Sequence, residues 1–165
     1  MSLKLAFILD PLDGLKAYKD SSVAMMRVAA KRGHEVWAIQ RGALTWRDGR
    51  VAARAQKLIL GSEDQPWCGI EAEATLPLTA WDAVLMRQDP PFDFEYVAAT
   101  WLLERAEAEG ARIWNKPRAI RDHSEKVAIA EFPQFAPTTL IARDPADVHA
   151  LIDELGDVIL KPLDG

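Results

Sequence analysis

Residues 3–40 read LKLAFILDPLDGLKAYKDSSVAMMRVAAKRGHEVWAIQ, and they contain two short apolar runs, at 3–9 and at 35–40. The Asp10-Pro11 pair ends the first run. Apolar runs of this length that stop at turn residues favour buried strands over helices. We therefore predict a strand at each end of this segment.

The residues between the two predicted strands carry the pattern of a helix. Asp20 or Ser21 can cap its first turn, and Gly33 can end it. A strand, a helix of about ten residues and a second strand form a βαβ unit, and such units build parallel sheets. We predict an α/β fold in which a largely parallel sheet is flanked by helices.

A β-hairpin is predicted after this unit. Asp48-Gly49 stands between Thr45–Arg47 and the residues from 50 onward, and this dipeptide favours a type I′ turn. The alanines of residues 51–60 would also suit a helix, so the prediction of a strand there depends on the turn alone. Residues 61–69 are predicted to be irregular.

The middle of the chain contains the clearest helical pattern, at residues 93–109. Its spacing predicts one apolar stripe, made of Phe94, Val97, Ala98, Trp101 and Leu102. Short apolar runs on either side, at 83–86 and 111–114, are predicted to be buried strands. These two runs extend the predicted sheet.

Prolines and glycines separate short elements in the rest of the chain. The predicted elements are helices at 117–122, 124–131 and 144–155, a loop at 132–137, and strands at 138–142 and 157–160. The first α/β unit is predicted to end near 114–122. A strand at 157–160 with nothing packed over it leaves apolar residues poorly covered, so we expect the sequence to be a fragment.

Composition excludes several classes of protein. The 165 residues make about one domain, and 20 basic against 25 acidic residues give a net charge of −5, which argues against general nucleic-acid binding. A single cysteine excludes a disulfide framework and a cysteine-cluster zinc site. No signal peptide is evident, and no apolar run approaches the ~20 residues that span a bilayer. We predict a cytoplasmic protein with no membrane contact.

The loop after the first predicted strand is a candidate ligand site. Ligands of open α/β sheets bind at the carboxyl ends of the strands. The amides at the start of the helix, the hydroxyls of Ser21 and Ser22 and the ammonium of Lys19 would suit a carboxylate or a phosphate. The alternative is that Asp20 and Ser21 only cap the helix while Lys19 is solvated.

A second candidate site follows the predicted strand at 83–86. Pro90-Pro91 stiffens the backbone, so Arg87 and Asp89 could be held as a pair that faces the same crevice. An arginine there offers a forked donor to a carboxylate. A turn with an ordinary surface ion pair explains these residues equally well.

Two lysines are candidates for binding a polyphosphate: Lys126, in a predicted helix, and Lys161, directly after a predicted strand. Lysines are usually solvated, so position alone is a weak argument. The three histidines lack metal-ligand spacing, and the sequence contains no G-x-G-x-x-G, P-loop or G-x-S-x-G motif. Dinucleotide, P-loop and serine-hydrolase sites therefore receive no support.

A set of short strings occurs in order along the whole chain. They are Asp10-Pro11, KDSS at 19–22, MRQDPPFD at 86–93, NKP at 115–117, Arg121-Asp122, Glu125-Lys126 and ILKPLDG at 159–165. Each string is weak alone, but together they are specific. The sequence resembles the prokaryotic glutathione synthetases, which belong to the ATP-grasp superfamily, and specifically their N-terminal portion.

The resemblance implies a preATP-grasp, Rossmann-like domain at 1–121 and the beginning of an ATP-grasp domain at 122–165. It also implies a ligase that joins γ-glutamylcysteine to glycine through an acyl phosphate made from ATP, with Mg²⁺ on the phosphates. A homotetramer is the family precedent.

The resemblance also implies roles for single residues. Lys126 and Lys161 match the two lysines with which such enzymes hold the ATP phosphates. The residues that would bind γ-glutamylcysteine are Lys19, Ser21, Arg87 and Asp89.

The sequence departs from the family pattern after Lys161-Pro162-Leu163-Asp164-Gly165. The family continues there into a glycine-rich phosphate loop, and this sequence ends at the first glycine. The resemblance therefore implies no catalytic residue and no metal ligand within the chain, and we expect this polypeptide alone to be inactive. Two alternatives remain: a non-catalytic module that binds a small acid or dimerises, and a related ATP-grasp peptide ligase with a different acceptor.

Overall fold

The computed structural model describes residues 1–62, 66–88 and 91–163. Within those residues, the strands form one six-stranded sheet in the order β4-β3-β2-β1-β5-β6. The strands are β1 (Lys4–Leu9), β2 (Glu35–Arg47), β3 (Arg50–Leu60), β4 (Cys68–Pro77), β5 (Ala83–Met86) and β6 (Ile113–Trp114). The helices are α1 (Ser21–Lys31), α2 (Phe94–Ala108), α3 (Pro117–Asp122) and α4 (Pro145–Leu155).

One half of the sheet is parallel, as the βαβ pattern predicts. β1 pairs in parallel with β2 and with β5, and β5 pairs in parallel with β6. α1 packs on one face of this sheet through Val23, Met26 and Ala29, whereas α2 packs on the opposite face. The predicted α/β fold, with helices on both faces of the sheet, is confirmed.

The other half of the sheet is antiparallel. Asp48 and Gly49 both have positive φ, of 50° and 83°, which confirms the type I′ turn and the strand after it. β4 was not predicted, and the prediction of an irregular segment at 61–69 is wrong at Cys68 and Gly69. These two residues pair with Leu60 and Ile59, because the long β3 extends far enough to pair with a third strand.

α2 is confirmed as a helix, but the predicted apolar stripe is wrong. Its buried residues are Ala99, Thr100, Leu103 and Ala106. Phe94 and Trp101 are 74% and 48% exposed, and their rings contact each other edge to face with centroids 5.9 Å apart. The alanines allow the helix to lie close to the sheet, whereas the rings of Phe94 and Trp101 remain on the outer side.

The segment after α3 has little regular structure apart from α4. The predicted helix at 124–131 is a 3₁₀ helix at Val127–Glu131. The strands predicted at 138–142 and 157–160 are wrong: among the described residues neither segment pairs with another strand. A strand needs neighbours for its backbone hydrogen bonds, and without one the side chain of Ile159 is 85% exposed.

Candidate functional site

The carboxyl ends of the parallel strands meet along one edge of the sheet. Asp10 follows β1 there, Arg87 follows β5 and Asn115 follows β6. The amino-terminal ends of α1 and α2 lie at the same edge, because both helices start from loops that leave these strands. This is the edge at which ligands of open α/β sheets bind, and two clefts open on it.

The first cleft, which we name the α1 cleft, has a volume of about 530 Å³. Its lining residues are Asp10, Gly14, Leu15, Lys16, Lys19, Asp20, Ser21 and Ser22. The lining thus combines two lysines with two serine hydroxyls at the first turn of α1.

Arg87 contacts both serines that line the α1 cleft. Its Nη2 atom donates a hydrogen bond to Ser21 Oγ at 2.8 Å, and its Nε atom donates one to Ser22 Oγ at 3.2 Å. Each hydroxyl accepts from the guanidinium, and the exposed Ser21 hydroxyl keeps its own proton available for a ligand oxygen. The predicted site residues Ser21 and Arg87 are therefore in direct contact.

Asp20 and Lys19 play different parts in this cleft. The Asp20 carboxylate accepts hydrogen bonds from the backbone N–H groups of Ser22 and Val23, at 2.7 and 2.9 Å, so Asp20 is the N-cap of α1. Lys19 is exposed, and its Nζ atom lies 6.0 Å from the centroid of the Tyr18 ring. The capping interpretation thus holds for Asp20, whereas Lys16, Lys19 and Ser21 are exposed and could receive an anion.

The second cleft, which we name the Lys126 cleft, has a volume of about 480 Å³ and lies where β5 and β6 end. Its lining residues are Gln88, Phe92, Tyr96, Asn115, Ala119, Ile120, His123, Ser124, Glu125, Lys126 and Leu163. The Lys126 side chain is only 16% exposed, and its Nζ atom lies 3.9 Å from the Glu125 carboxylate. The cleft therefore holds a lysine with a largely buried side chain beside aromatic and polar residues.

α3 forms one wall of the Lys126 cleft, and Arg121 attaches α3 to α2. Its guanidinium donates to Thr100 Oγ1 at 3.2 Å and pairs with the Glu104 carboxylate, both on α2. Thr100 is fully buried and the Arg121 side chain is 16% exposed, so this contact is held inside the α2–α3 junction. The sequence motif contained Arg121, but nothing in its spacing assigned it this structural role.

Asp93 fixes the start of α2 at the same edge. Its carboxylate accepts from the Tyr96 backbone N–H at 2.7 Å and pairs with both Nη atoms of Arg41, at 3.1 and 3.4 Å. The Tyr96 hydrogen bond first, and the Arg41 charge after it, hold the pKa of Asp93 below its ordinary value. No local signal could have identified Arg41, which lies 52 positions away on β2.

The predicted site residues thus fall in two groups. Lys19, Ser21 and Arg87 meet around the α1 cleft, whereas Lys126 lines the other cleft. Lys161 is exposed, and Leu163, two residues further on, lines the Lys126 cleft. Asp89 lies outside the described residues.

The described residues contain neither a cluster of metal-ligating side chains nor a membrane-spanning helix. In the described ranges 1–62, 66–88 and 91–163, no group of three or more His, Cys, Asp or Glu side chains is arranged to hold a metal ion. No helix in the same part of the chain is long and apolar enough to cross a membrane.

Comparison with protein families gives two matches that lie end to end. Residues 3–121 match the family described as prokaryotic glutathione synthetase, N-terminal domain. Residues 125–165 match the family described as prokaryotic glutathione synthetase, ATP-grasp domain.

Individual relatives agree with the family matches. The chain is 51% identical over 163 residues to a glutathione synthetase of Ralstonia nicotianae, covering 99% of this chain and 50% of the relative. It is 50% identical to that of Nitrosomonas europaea and 43% identical to one of Vibrio vulnificus, covering 52% of each relative. The chain thus spans about half the length of the curated relatives it matches.

A solved structure agrees in fold. The ATP-grasp ligase PsnB, solved in complex with a minimal precursor, superposes with a TM-score of 0.51 at 18% identity, covering 99% of this chain and 54% of that protein. At this identity the likeness concerns the fold alone. The two family matches, which together extend over nearly the whole sequence, show that the chain belongs to the prokaryotic glutathione synthetase family.

Proposed function

We propose that the protein carrying this chain is an ATP-dependent carbon–nitrogen ligase that joins γ-glutamylcysteine to glycine. The observation that carries the proposal is the 51% identity, over 99% of this chain, to a relative named glutathione synthetase. The two clefts at the carboxyl edge of the sheet support it, because both present cations to a ligand.

The α1 cleft is the proposed site of γ-glutamylcysteine. Arg87 presents a forked, permanently charged donor, and a carboxylate is the group that such a fork fits best. The Ser21 hydroxyl, which accepts from Arg87, can donate its proton to the same carboxylate. Lys19 adds a second positive charge, and Asp89 is proposed as a further contact.

Lys126 and Lys161 are the proposed contacts to the ATP phosphates. An oxygen of the dipeptide's C-terminal carboxylate attacks the γ-phosphorus and ADP leaves. The glycine amine then attacks the acyl carbon, loses a proton, and inorganic phosphate leaves. Ammonium groups at the phosphates offset the negative charge of the transferring phosphoryl group, and the partly buried Lys126 is suited to this, since water screens it less.

Mg²⁺, when bound to the phosphates in this family, offsets their charge. The described residues contain no cluster of metal-ligating side chains, so we assign none of them to Mg²⁺. We further propose a domain division into 1–121 and 122–165. A cytoplasmic location and a homotetramer stay predictions.

The test is a coupled assay of ADP release with γ-glutamylcysteine, glycine and Mg-ATP. The full-length protein should release ADP continuously only when both substrates are present, whereas the 165-residue polypeptide should show no turnover above background. Replacement of glycine by other small amines tests for a different acceptor. ADP release that does not depend on γ-glutamylcysteine would contradict the proposal.

A further inference from the structure

Gln88 carries a buried polar atom that has no partner. Its Oε1 atom is buried, and among the described residues no group donates a hydrogen bond to it. A side-chain amide oxygen can only accept, so the missing partner is an N–H or O–H donor. A buried acceptor without a donor costs free energy in the unliganded protein, and a ligand that supplies the donor recovers it.

The side chain of Gln88 lies at the Lys126 cleft, whereas that of its chain neighbour Arg87 contacts the serines of the α1 cleft. The backbone N–H of Arg87 donates to Ile8 O at 2.9 Å, so the extended pairing of β5 with β1 continues past Met86. Successive side chains of an extended segment point to opposite faces. Arg87 accordingly reaches Ser21 at the α1 cleft, and Gln88 lines the Lys126 cleft.

The other residues of the Lys126 cleft do not supply the donor. His123 pairs with the Glu131 carboxylate at 3.0 Å, and the Lys126 ammonium lies 3.9 Å from the Glu125 carboxylate. Trp81 also has a buried polar atom without a partner among the described residues, but it precedes β5, at the opposite end of that strand from Gln88, and lines no cleft described above. Unlike the Trp81 atom, the Gln88 oxygen therefore lies at the edge of the sheet where ligands bind.

We propose that Gln88 Oε1 accepts a hydrogen bond from the peptide N–H of γ-glutamylcysteine, a proposal that rests on the proposed function. In that reaction the dipeptide extends from the cations of the α1 cleft toward the phosphates at Lys126. Its peptide N–H is close to its reacting carboxylate, which must reach those phosphates, and Gln88 lines the same Lys126 cleft. A neutral acceptor suits a neutral amide donor, and Gln88 is thus a specificity-determining residue for the dipeptide.

The first test changes one atom of the ligand. An ester analogue of γ-glutamylcysteine, in which oxygen replaces the peptide N–H, should bind the full-length wild-type protein about tenfold more weakly than the dipeptide. In Gln88→Met the dipeptide should bind about tenfold more weakly, and the two ligands should differ less than about twofold. Equal binding of both ligands by the wild type, or full discrimination retained in Gln88→Met, would overturn the inference.

The second test needs no ligand. Because Gln88→Met removes an unpaired buried oxygen, the variant should melt about 2–4 °C above the wild type. A lower melting temperature in both Gln88→Met and Gln88→Leu would show that the oxygen has a partner in the free protein, and would overturn the inference. Absence of any dipeptide binding by the wild type would refute the proposed function as well, whereas intact ligation without ester discrimination refutes the role of Gln88 alone.

Discussion

The Nη2 atom of Arg87 lies 2.8 Å from the Oγ atom of Ser21, although the two residues are 66 positions apart in the sequence. The contact exists because β5 pairs in parallel with β1, which brings the end of β5 to the start of α1. Two sequence strings that are separately ordinary thus become one cationic, hydroxyl-lined cleft.

Replacement of Arg87 by lysine should weaken the binding of γ-glutamylcysteine. Lysine keeps the charge but loses the fork that contacts both serines, and one charge-assisted hydrogen bond is worth about 1.5–3 kcal/mol. Titration calorimetry should therefore show a dissociation constant raised about 10- to 100-fold. Arg32→Lys, at the other end of α1, is the control and should bind like the wild type. Unchanged affinity in Arg87→Lys would remove this residue from the proposed site.

The Arg121 contact should stabilise the junction of α2 with α3. Arg121→Met leaves Thr100 and Glu104 without their partner, and we expect a loss of about 1–3 kcal/mol in the free energy of unfolding. The matched control is Arg118→Met, which removes an exposed pair with Asp122 and should cost less than about 0.5 kcal/mol. Urea denaturation followed by circular dichroism measures the unfolding free energy of both variants. Equal losses would show that the Arg121 contact stabilises the protein no more than an exposed ion pair does.

The buried face of α2 can be tested by comparing two large-to-small substitutions. Leu103 is fully buried, so Leu103→Ala should cost about 2–5 kcal/mol of unfolding free energy through the cavity it leaves. Trp101 belongs to the exposed side, so Trp101→Ala should cost only about 0.5–1.5 kcal/mol, through its contact with Phe94. A larger loss of unfolding free energy in Trp101→Ala than in Leu103→Ala would support the apolar stripe that the sequence spacing predicts.

The Asp93 cap should make stability depend on pH in the acid range. Because the pKa of Asp93 is lower in the folded than in the unfolded protein, the unfolded chain binds more protons between the two values. The stabilisation is therefore present above the ordinary value of about 4 and is lost as the pH falls through the folded pKa. Asp93→Asn should flatten this part of the profile, measured by urea unfolding from pH 6 downward. An identical profile in wild type and variant would contradict the assignment.

The Cys68 thiol should react slowly. Burial raises its pKa, which lowers the fraction of thiolate at neutral pH, and the thiolate is the reactive form. Labelling with a thiol reagent at pH 7.5 should be slower in the folded protein than in the urea-unfolded protein. Equal rates would show that the β3–β4 junction does not shield the sulfur.

Local chemistry explains which parts of the fold the sequence predicts well. Helix caps and tight turns depend on backbone groups within a few residues, so a short segment is enough to identify them. The examples here are the caps Asp20, Asp93 and Asp144 and the turn at Asp48-Gly49. β4 carried an available signal, since apolar residues alternate along residues 70–76, but a register shift interrupts its pairing with β3. The prediction of strands at 138–142 and 157–160 is wrong because an apolar run does not show which strand it would pair with.

The candidate site was predictable only in part, for a related reason. Arg87 directly follows β5, whereas Lys19 and Ser21 lie where the loop after β1 enters α1. The rule for parallel sheets places such residues on one edge. Arg41 and Arg121 act over long sequence separations, on Asp93 and Glu104, which no spacing reveals. The shared role of Lys126 and Lys161 stays a prediction from resemblance.

The proposed ligation requires that the dipeptide's carboxylate be phosphorylated before glycine attacks. It is tested most directly with γ-glutamylcysteine labelled with ¹⁸O in its C-terminal carboxylate, incubated with the full-length protein, glycine and Mg-ATP. The mechanism predicts one ¹⁸O atom in the inorganic phosphate for each tripeptide formed, as measured by mass spectrometry. Tripeptide formed with unlabelled phosphate, or no tripeptide at all, would contradict it.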